Sequence, residues 1–255
     1  MRFVIADPPT LAKSIADRIQ ALLDRKRDAI LGLATGSSPL ALYDELVRRA
    51  NAGAMSFSSA GAFLLDEYVG LPADHPQRYC NVIDREFTSR VDFTSGSVRV
   101  PNPNVHDLQA SCAEYETDIT RSGGIDFQIL GVGTDGHIAF NAPGSLHDSR
   151  TRVVRLSDQT RRDNARFFDD DVAAVPEWCI TQGIGTILDA TELVVIAEGN
   201  SKAEPLRRLA RGEVDVDWPV TALNLHGTVT VFADSDAARL IPPELRTSLS
   251  MSRSR

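Results

Sequence analysis

Between Gly131 and Ser145 the chain reads GVGTDGHIAFNAPGS, directly after the apolar run IDFQIL, and sets Asp135, His137 and Asn141 within seven positions. A carboxylate close to a histidine can fix the imidazole tautomer and strengthen the ring as a proton acceptor, which is equipment for acid–base chemistry near neutral pH. Two positions apart in extended geometry, Asp135 and His137 share a face. Gly131 and Gly133 permit tight turning and close approach of a ligand to backbone. A lone histidine is more often a structural group; the company of Asp135, Asn141 and the surrounding glycines and prolines favours a site. Metal binding is the weaker reading, because His75, His106, His147 and His226 show no ligand spacing and the cysteines do not cluster.

Three further stretches carry candidate chemistry. In LATGSSPLALYDEL, Thr35, Gly36, Ser37 and Ser38 lie between an apolar run and a helical pattern, with Ser38 expected as N-cap and Pro39 as the first helical residue. Glycine, hydroxyls and free helix N–H groups outline a phosphate cradle. It lacks the Gly-Lys-Ser/Thr ending of a P-loop, and such turns also occur with no ligand. In FLLDEYVGLP, Asp66 and Glu67 end an apolar strand; their side chains must point to opposite sides, so one can face a cleft as a base while the other turns into structure. Arg161, Arg162 and Arg166, and Lys202 after EGNS, are cations able to reach a phosphate, or ordinary surface charge.

These residues need elements to hold them. Apolar runs at Arg2–Ala6, Ala29–Leu33, Gly61–Leu65, Ile125–Leu130, Glu192–Ala197 and Thr228–Phe232 read as strands. Helical patterns cover Thr10–Arg25 with Thr10 as N-cap, Pro39–Ala50, His106–Ser122 with a Gly123–Gly124 stop, Gln159–Phe168, Pro176–Leu188 and Lys202–Arg211. Strands that alternate with helices and are apolar on both faces predict an α/β fold, a mostly parallel sheet with helices on both faces. In such sheets ligands bind at the carboxyl ends of the strands, where the four candidate loops fall. No linker, repeat or low-complexity block divides the chain; we read one domain over residues 1–245, with a polar and basic tail, disordered, over residues 246–255.

Composition sets the outer bounds. The chain has 255 residues, 42% hydrophobic and 24% charged, as expected of a globular enzyme. A net charge of −8 argues against sequence-independent nucleic-acid binding, which needs broad positive surface, and leaves room for a small phosphorylated ligand. Three dispersed cysteines, no signal-like N-terminus and no apolar run of membrane-spanning length predict a cytoplasmic protein with reduced thiols.

Taken together and in order, LATGSSP, LLDEYVGLP, HPQRYCN, GVGTDGHIAFN, SRTR, TRRDNARFF and GNSKA resemble the glucosamine-6-phosphate deaminases, over about residues 4–231. The related 6-phosphogluconolactonases share the Gly-x-Asp-Gly-His core but are not expected to carry DEYVGL or the Ile-Ala-Phe-Asn continuation. The resemblance implies a Rossmann-like domain, no metal or organic cofactor, and conversion of D-glucosamine 6-phosphate and water to D-fructose 6-phosphate and ammonium. By that resemblance Asp66 is the enolisation base, and His137 with Asp135 opens the sugar ring. Thr35, Gly36, Ser37 and Ser38 form the phosphate loop, with Arg166 and Lys202 supplying positive charge.

Two departures stand out. Family members usually read GHIAFNEP, the glutamate being counted with the ring-opening group; here that position is Ala142, whose methyl accepts no hydrogen bond. Either Asp135, another carboxylate or water substitutes and the pH profile shifts, or the substrate or activity differs: another hexosamine 6-phosphate, a lactonase-type hydrolysis, or a sugar-phosphate binder without catalysis. Allosteric members bind N-acetylglucosamine 6-phosphate through a Ser-Ser pair, an arginine and a lysine. Ser145 and Arg152 remain here, while Leu146 and Val154 replace the second serine and the lysine. The expectation is weak or absent activation, and a monomer or small self-association rather than a regulated hexamer.

Overall fold

The computed structural model describes residues 1–248. In chain order it comprises β1 (Arg2–Ile5), α1 (Pro8–Arg25), β2 (Ile30–Leu33), α2 (Leu40–Asn51), β3 (Gly61–Leu64), β4 (Asp66–Tyr68), α3 (Tyr79–Glu86), β5 (Val98–Arg99), α4 (Leu108–Arg121), β6 (Phe127–Leu130), β7 (Arg152–Arg155), α5 (Asp158–Asn164), β8 (Trp178–Thr181), α6 (Ile184–Leu188), β9 (Leu193–Ala197), α7 (Ala203–Ala210), β10 (Val229–Ala233) and β11 (Arg246–Ser248). Short 3₁₀ turns include Ala165–Phe167, Asn200–Lys202 and Pro219–Leu225.

An eight-stranded sheet runs β11-β1-β10-β9-β6-β2-β3-β5. Its neighbours pair in parallel throughout. β2, β3, β6, β9 and β10 are buried along their whole length, which explains why their sequences are apolar on both faces. Helix α1 lays Leu11, Ile15, Ile19, Leu22 and Leu23 into the core at helical spacing. Each such side chain, fully buried, stabilises the fold by about 1.5–3 kcal/mol. The expected strands and the parallel α/β class are therefore found, with boundaries moved by a residue or two.

The chain leaves β2 for β3 on one side and later returns to the other side of β2 as β6, so the strand order reverses there. A crevice opens at such a point beyond the carboxyl ends of the strands. The loops after β2, β3, β6 and β9 rise from four adjacent strands and meet in that crevice.

Several local expectations are corrected. Asp7, not Thr10, caps α1: its carboxylate accepts from Thr10 N at 3.1 Å and from Thr10 Oγ1 at 2.8 Å, and Pro8 and Pro9 open the helix. Helix α2 begins at Leu40 with Pro39 as N-cap, one residue later than predicted for Ser38 and Pro39. Pro176–Leu188 is not one helix. Trp178–Thr181 pairs antiparallel with β4 on one side and β7 on the other, and the short α6 follows after Gly183. The apparent period of Ile180, Ile184 and Ile187 arises because all three are buried, from different elements. A Cβ on Gly183 would lie 2.0 Å from the Ser149 carbonyl oxygen, so only glycine allows that junction. The tail expected from residue 246 begins later, because Arg246–Ser248 adds a strand beside β1; residues 249–255 lie outside the described residues.

Candidate active site

The crevice is a cleft of about 520 Å³, walled by Thr35–Ser38, Asp66, Gly131–Thr134, His137, Arg166 and Lys202 among others. Every residue read as catalytic or phosphate-binding lines it except Asp135, which stands behind His137.

Asp66, a residue 6% exposed that lines the cleft, opens β4. Burial pushes its pKa well above the usual carboxylate range, and the neighbouring Glu67 charge adds to this. A proton on such a group is held more tightly than in water, which suits a base that must pick up and return a proton. Glu67 points the other way and is fully buried. Its carboxylate accepts from the N–H groups of Tyr68 at 2.8 Å, Tyr79 at 2.9 Å and Cys80 at 2.9 Å. Tyr79 and Cys80 are the first residues of α3, so Glu67 seats that helix's positive end. The DE pair thus divides as the strand alternation requires, one carboxylate to the cleft and one to the scaffold.

His137 and Asp135 sit either side of Gly136, which has φ +82°. The local backbone is a turn rather than the extended arrangement predicted, and the turn brings the side chains together: His137 Nδ1 lies 2.6 Å from Asp135 Oδ1. Burial acts to raise the Asp135 pKa, but the hydrogen bond and charge of His137 outweigh it and hold the carboxyl below its usual range. A Cβ on Gly133 would fall 2.2 Å from the imidazole, so glycine there is what lets the ring lie flat on the loop. The turn closes through Ala139, a non-glycine residue at φ +49°.

Thr35, Gly36, Ser37 and Ser38, the residues read as a phosphate cradle, follow β2 and line the cleft, with Gly36 at φ +92°. Ala34 is tied to α2 by Tyr43, whose hydroxyl donates to the Ala34 carbonyl at 2.7 Å and accepts from Ala34 N at 3.2 Å. No side chain caps α2, which leaves Ser37 and Ser38 to the cleft. Across from them stands Lys202, its pKa lowered by burial and by Arg166, against the opposing pull of Asp163 and Asp135. A desolvated lysine beside an arginine favours an anion between them. Arg161 is not part of this group: it donates to the Val172 and Val175 carbonyls, a structural role. Arg162 bonds Gln159 on its own helix.

A model of the glucosamine-6-phosphate isomerase/6-phosphogluconolactonase family matches residues 8–232. A glucosamine-6-phosphate deaminase of Mycolicibacterium smegmatis is 56% identical over 236 residues, 92% of this chain and 90% of that one. This chain belongs to the glucosamine-6-phosphate deaminase family. A relative of the same name from Beutenbergia cavernae is also 56% identical, over 92% of this chain and 90% of its own length. Among solved structures, a monomeric glucosamine-6-phosphate deaminase superposes with a TM-score of 0.91 at 38% identity, covering 94% of this chain and all of that one. A 6-phosphogluconolactonase from Thermotoga maritima shares the fold, with a TM-score of 0.72 at 21% identity.

Within this family frame, Ala142 is half-buried and stands off the cleft wall, its carbonyl accepting from Ser145 N at 3.1 Å and Ser145 Oγ at 2.7 Å. The adjacent Asn141 is wholly buried and donates to the carbonyls of Ile138 at 3.0 Å and Gln182 at 2.9 Å, so it shapes the turn rather than meeting substrate. Sequence reasoning missed Tyr79, Asn164, Asp163 and Glu198, all of which line the cleft. Asn164 Nδ2 donates to Tyr68 Oη at 2.8 Å, and Tyr79 Oη lies 3.2 Å from the same oxygen. Asn164 lies in the TRRDNARFF motif and Tyr79 in HPQRYCN, both quoted for the resemblance, and the motifs were the one signal available for them. Among the described residues, no group of three or more His, Cys, Asp or Glu is placed to hold a metal ion, and no helix is long and apolar enough to cross a membrane.

Proposed function

We propose that this protein converts D-glucosamine 6-phosphate and water to D-fructose 6-phosphate and ammonium, an isomerisation coupled to deamination. One observation carries the reading: a single cleft holds a desolvated carboxylate, a carboxylate-paired histidine and a cationic anion seat.

In this reading the 6-phosphate rests on the Thr35–Ser38 loop and between Arg166 and Lys202, so that remote binding energy orients the reacting carbons. His137 moves the proton at the ring oxygen as the pyranose opens, and Asp135 holds the ring in place. Asp66 takes the proton from C2 and returns it to C1. The resulting C2 imine adds water and releases ammonium, leaving the ketose. Ring opening proceeds without a carboxylate at position 142, because Asp135 already holds the imidazole Nδ1. The site lies in one domain that includes the strand Arg246–Ser248, acting in the cytoplasm as a monomer or small oligomer on a sugar phosphate rather than on nucleic acid.

The test is ammonium release measured together with fructose 6-phosphate formation from glucosamine 6-phosphate, across pH, with Ala142→Glu alongside. The expected result is activity in the natural chain. Activity confined to Ala142→Glu would mean intact machinery disabled at one position. Silence from both, with hydrolysis of a 6-phosphosugar lactone, would replace this reading with the lactonase one; silence toward every sugar phosphate, with binding retained, would leave a sensor.

A further inference from the structure

The acid–base turn is held from behind by a segment that contributes nothing to the cleft. Asp215–Thr221 meets the turn at two points: the Gly136 carbonyl accepts from Val220 N at 2.8 Å, and Gly144 N donates to the Val216 carbonyl at 2.9 Å. Between them the Trp218 indole lies against Gly136 so closely that a Cβ there would be 2.8 Å from Trp218 Cε3. The indole is itself fixed. The Trp218 carbonyl accepts from Thr221 N at 2.8 Å and from Thr221 Oγ1 at 2.6 Å, and Arg208 Cζ stands 5.0 Å from the ring centroid. Arg208 belongs to α7, whose N-cap is Lys202, and its Nε donates to Glu204 at 2.9 Å in that helix's first turn.

We propose that Trp218 is a positioning residue: it braces Gly136, and with it the Asp135–His137 pair, against the helix that presents Lys202. Asp135 and His137 flank Gly136, against which the indole lies, so any movement of Gly136 tilts both side chains. The same ring stacks on α7, which sets the distance between the ring-opening end of the site and its phosphate end. A displacement of about 1 Å at a reacting group costs on the order of 100-fold in rate, and a gap left by a missing indole is of that scale. The inference rests on the reading of His137 as the ring-opening group.

The experiment compares Trp218→Ala, Trp218→Phe, Gly136→Ala and the double variant Trp218→Ala/Gly136→Ala in steady-state deamination, with thermal melts as a folding check and His137→Gln in parallel. Trp218→Ala is expected to lower kcat by about tenfold or more while KM moves less than about threefold, and Trp218→Phe to restore most of the loss. Removing the indole also removes the clash that Gly136→Ala creates. The double variant therefore loses less than the product of the two single losses. Should the alanine variant not fold, Trp218→Leu serves in both comparisons. A folded Trp218→Ala or Trp218→Leu with wild-type kcat, or one that changes KM alone, overturns the brace. If His137→Gln keeps full kcat, the histidine reading itself fails; if His137→Gln is inactive while the Trp218 variant is normal, only the brace fails.

Discussion

His137 Nδ1 and Asp135 Oδ1 are 2.6 Å apart across one glycine in the left-handed region. Asp135 is held below the usual carboxylate range, burial notwithstanding, by its bond to His137. An ionised carboxylate only accepts, so Nδ1 is the donor and Nε2 is the nitrogen left for substrate. The predictions below start from this contact.

Asp135→Asn replaces that acceptor with an amide whose NH₂ can reverse the tautomer. We expect kcat to fall by about 10²–10⁴-fold, the usual contribution of a positioned acid–base group, with KM little changed. Steady-state rates on the purified variant decide it; an unchanged kcat would remove Asp135 from ring opening.

Asp66→Asn separates function from stability. With a folded pKa raised by burial and by Glu67, Asp66 favours the folded state below its unfolded pKa near 3.9, and that contribution is lost as pH rises toward the folded pKa. At neutral pH the burial of this carboxyl is therefore a cost of folding. The amide variant should be inactive yet melt higher, by about 2–4 °C for each kcal/mol relieved, with the gap widening as pH climbs from about 4. Melts across pH measure this; a variant that melts lower at pH 7 contradicts the proposed burial cost.

Lys202→Met removes a desolvated cation from the phosphate end. Loss of a charge-assisted bond of about 1.5–3 kcal/mol predicts a KM higher by roughly 10–100-fold. Arg166→Lys should also raise KM, because a point charge does not reproduce a planar fork. Substrate saturation curves test both, and a KM within twofold of wild type would place the phosphate elsewhere.

N-acetylglucosamine 6-phosphate should leave the saturation curve unmoved. Ser145 donates to the Ala142 carbonyl, Leu146 stands 67% exposed where a second serine would serve, and Val154 lies in β7 in place of a lysine. An effector shifts an equilibrium only through differential contacts, and the lysine donor to the phosphate is replaced by Val154. A left shift on adding the sugar phosphate would reverse this.

Much of the scaffold was legible because burial writes itself into composition. β2, β3, β6, β9 and β10 are apolar on both faces because the sheet is covered on both faces, and the Asp66–Glu67 pair splits because strand side chains alternate. α3 and β7 were missed, since Tyr79–Glu86 is polar and short and Arg152–Arg155 is an edge strand of a small antiparallel sheet. Pro176–Leu188 misled because a period of buried isoleucines does not say whether one element or two supplies them. Ser38 and Thr10 look like caps in isolation; Pro8 and Pro9 open α1 ahead of Thr10, and α2 starts one residue after Pro39.

By itself the sequence determined what kind of chemistry was present. It held a carboxylate at a strand end, a histidine with a nearby carboxylate, a hydroxyl-rich glycine turn and two cations, because residue type sets the available charge and proton chemistry whatever the fold. Only the tertiary structure decided that these groups share one cleft, that Gly136 turns Asp135 onto Nδ1, that Arg161 bonds backbone carbonyls while Lys202 lines the cleft, and that Trp218 lies behind the pair. Those are distances between residues far apart in the chain, and they are set by the order in which β9, β6, β2 and β3 stand side by side.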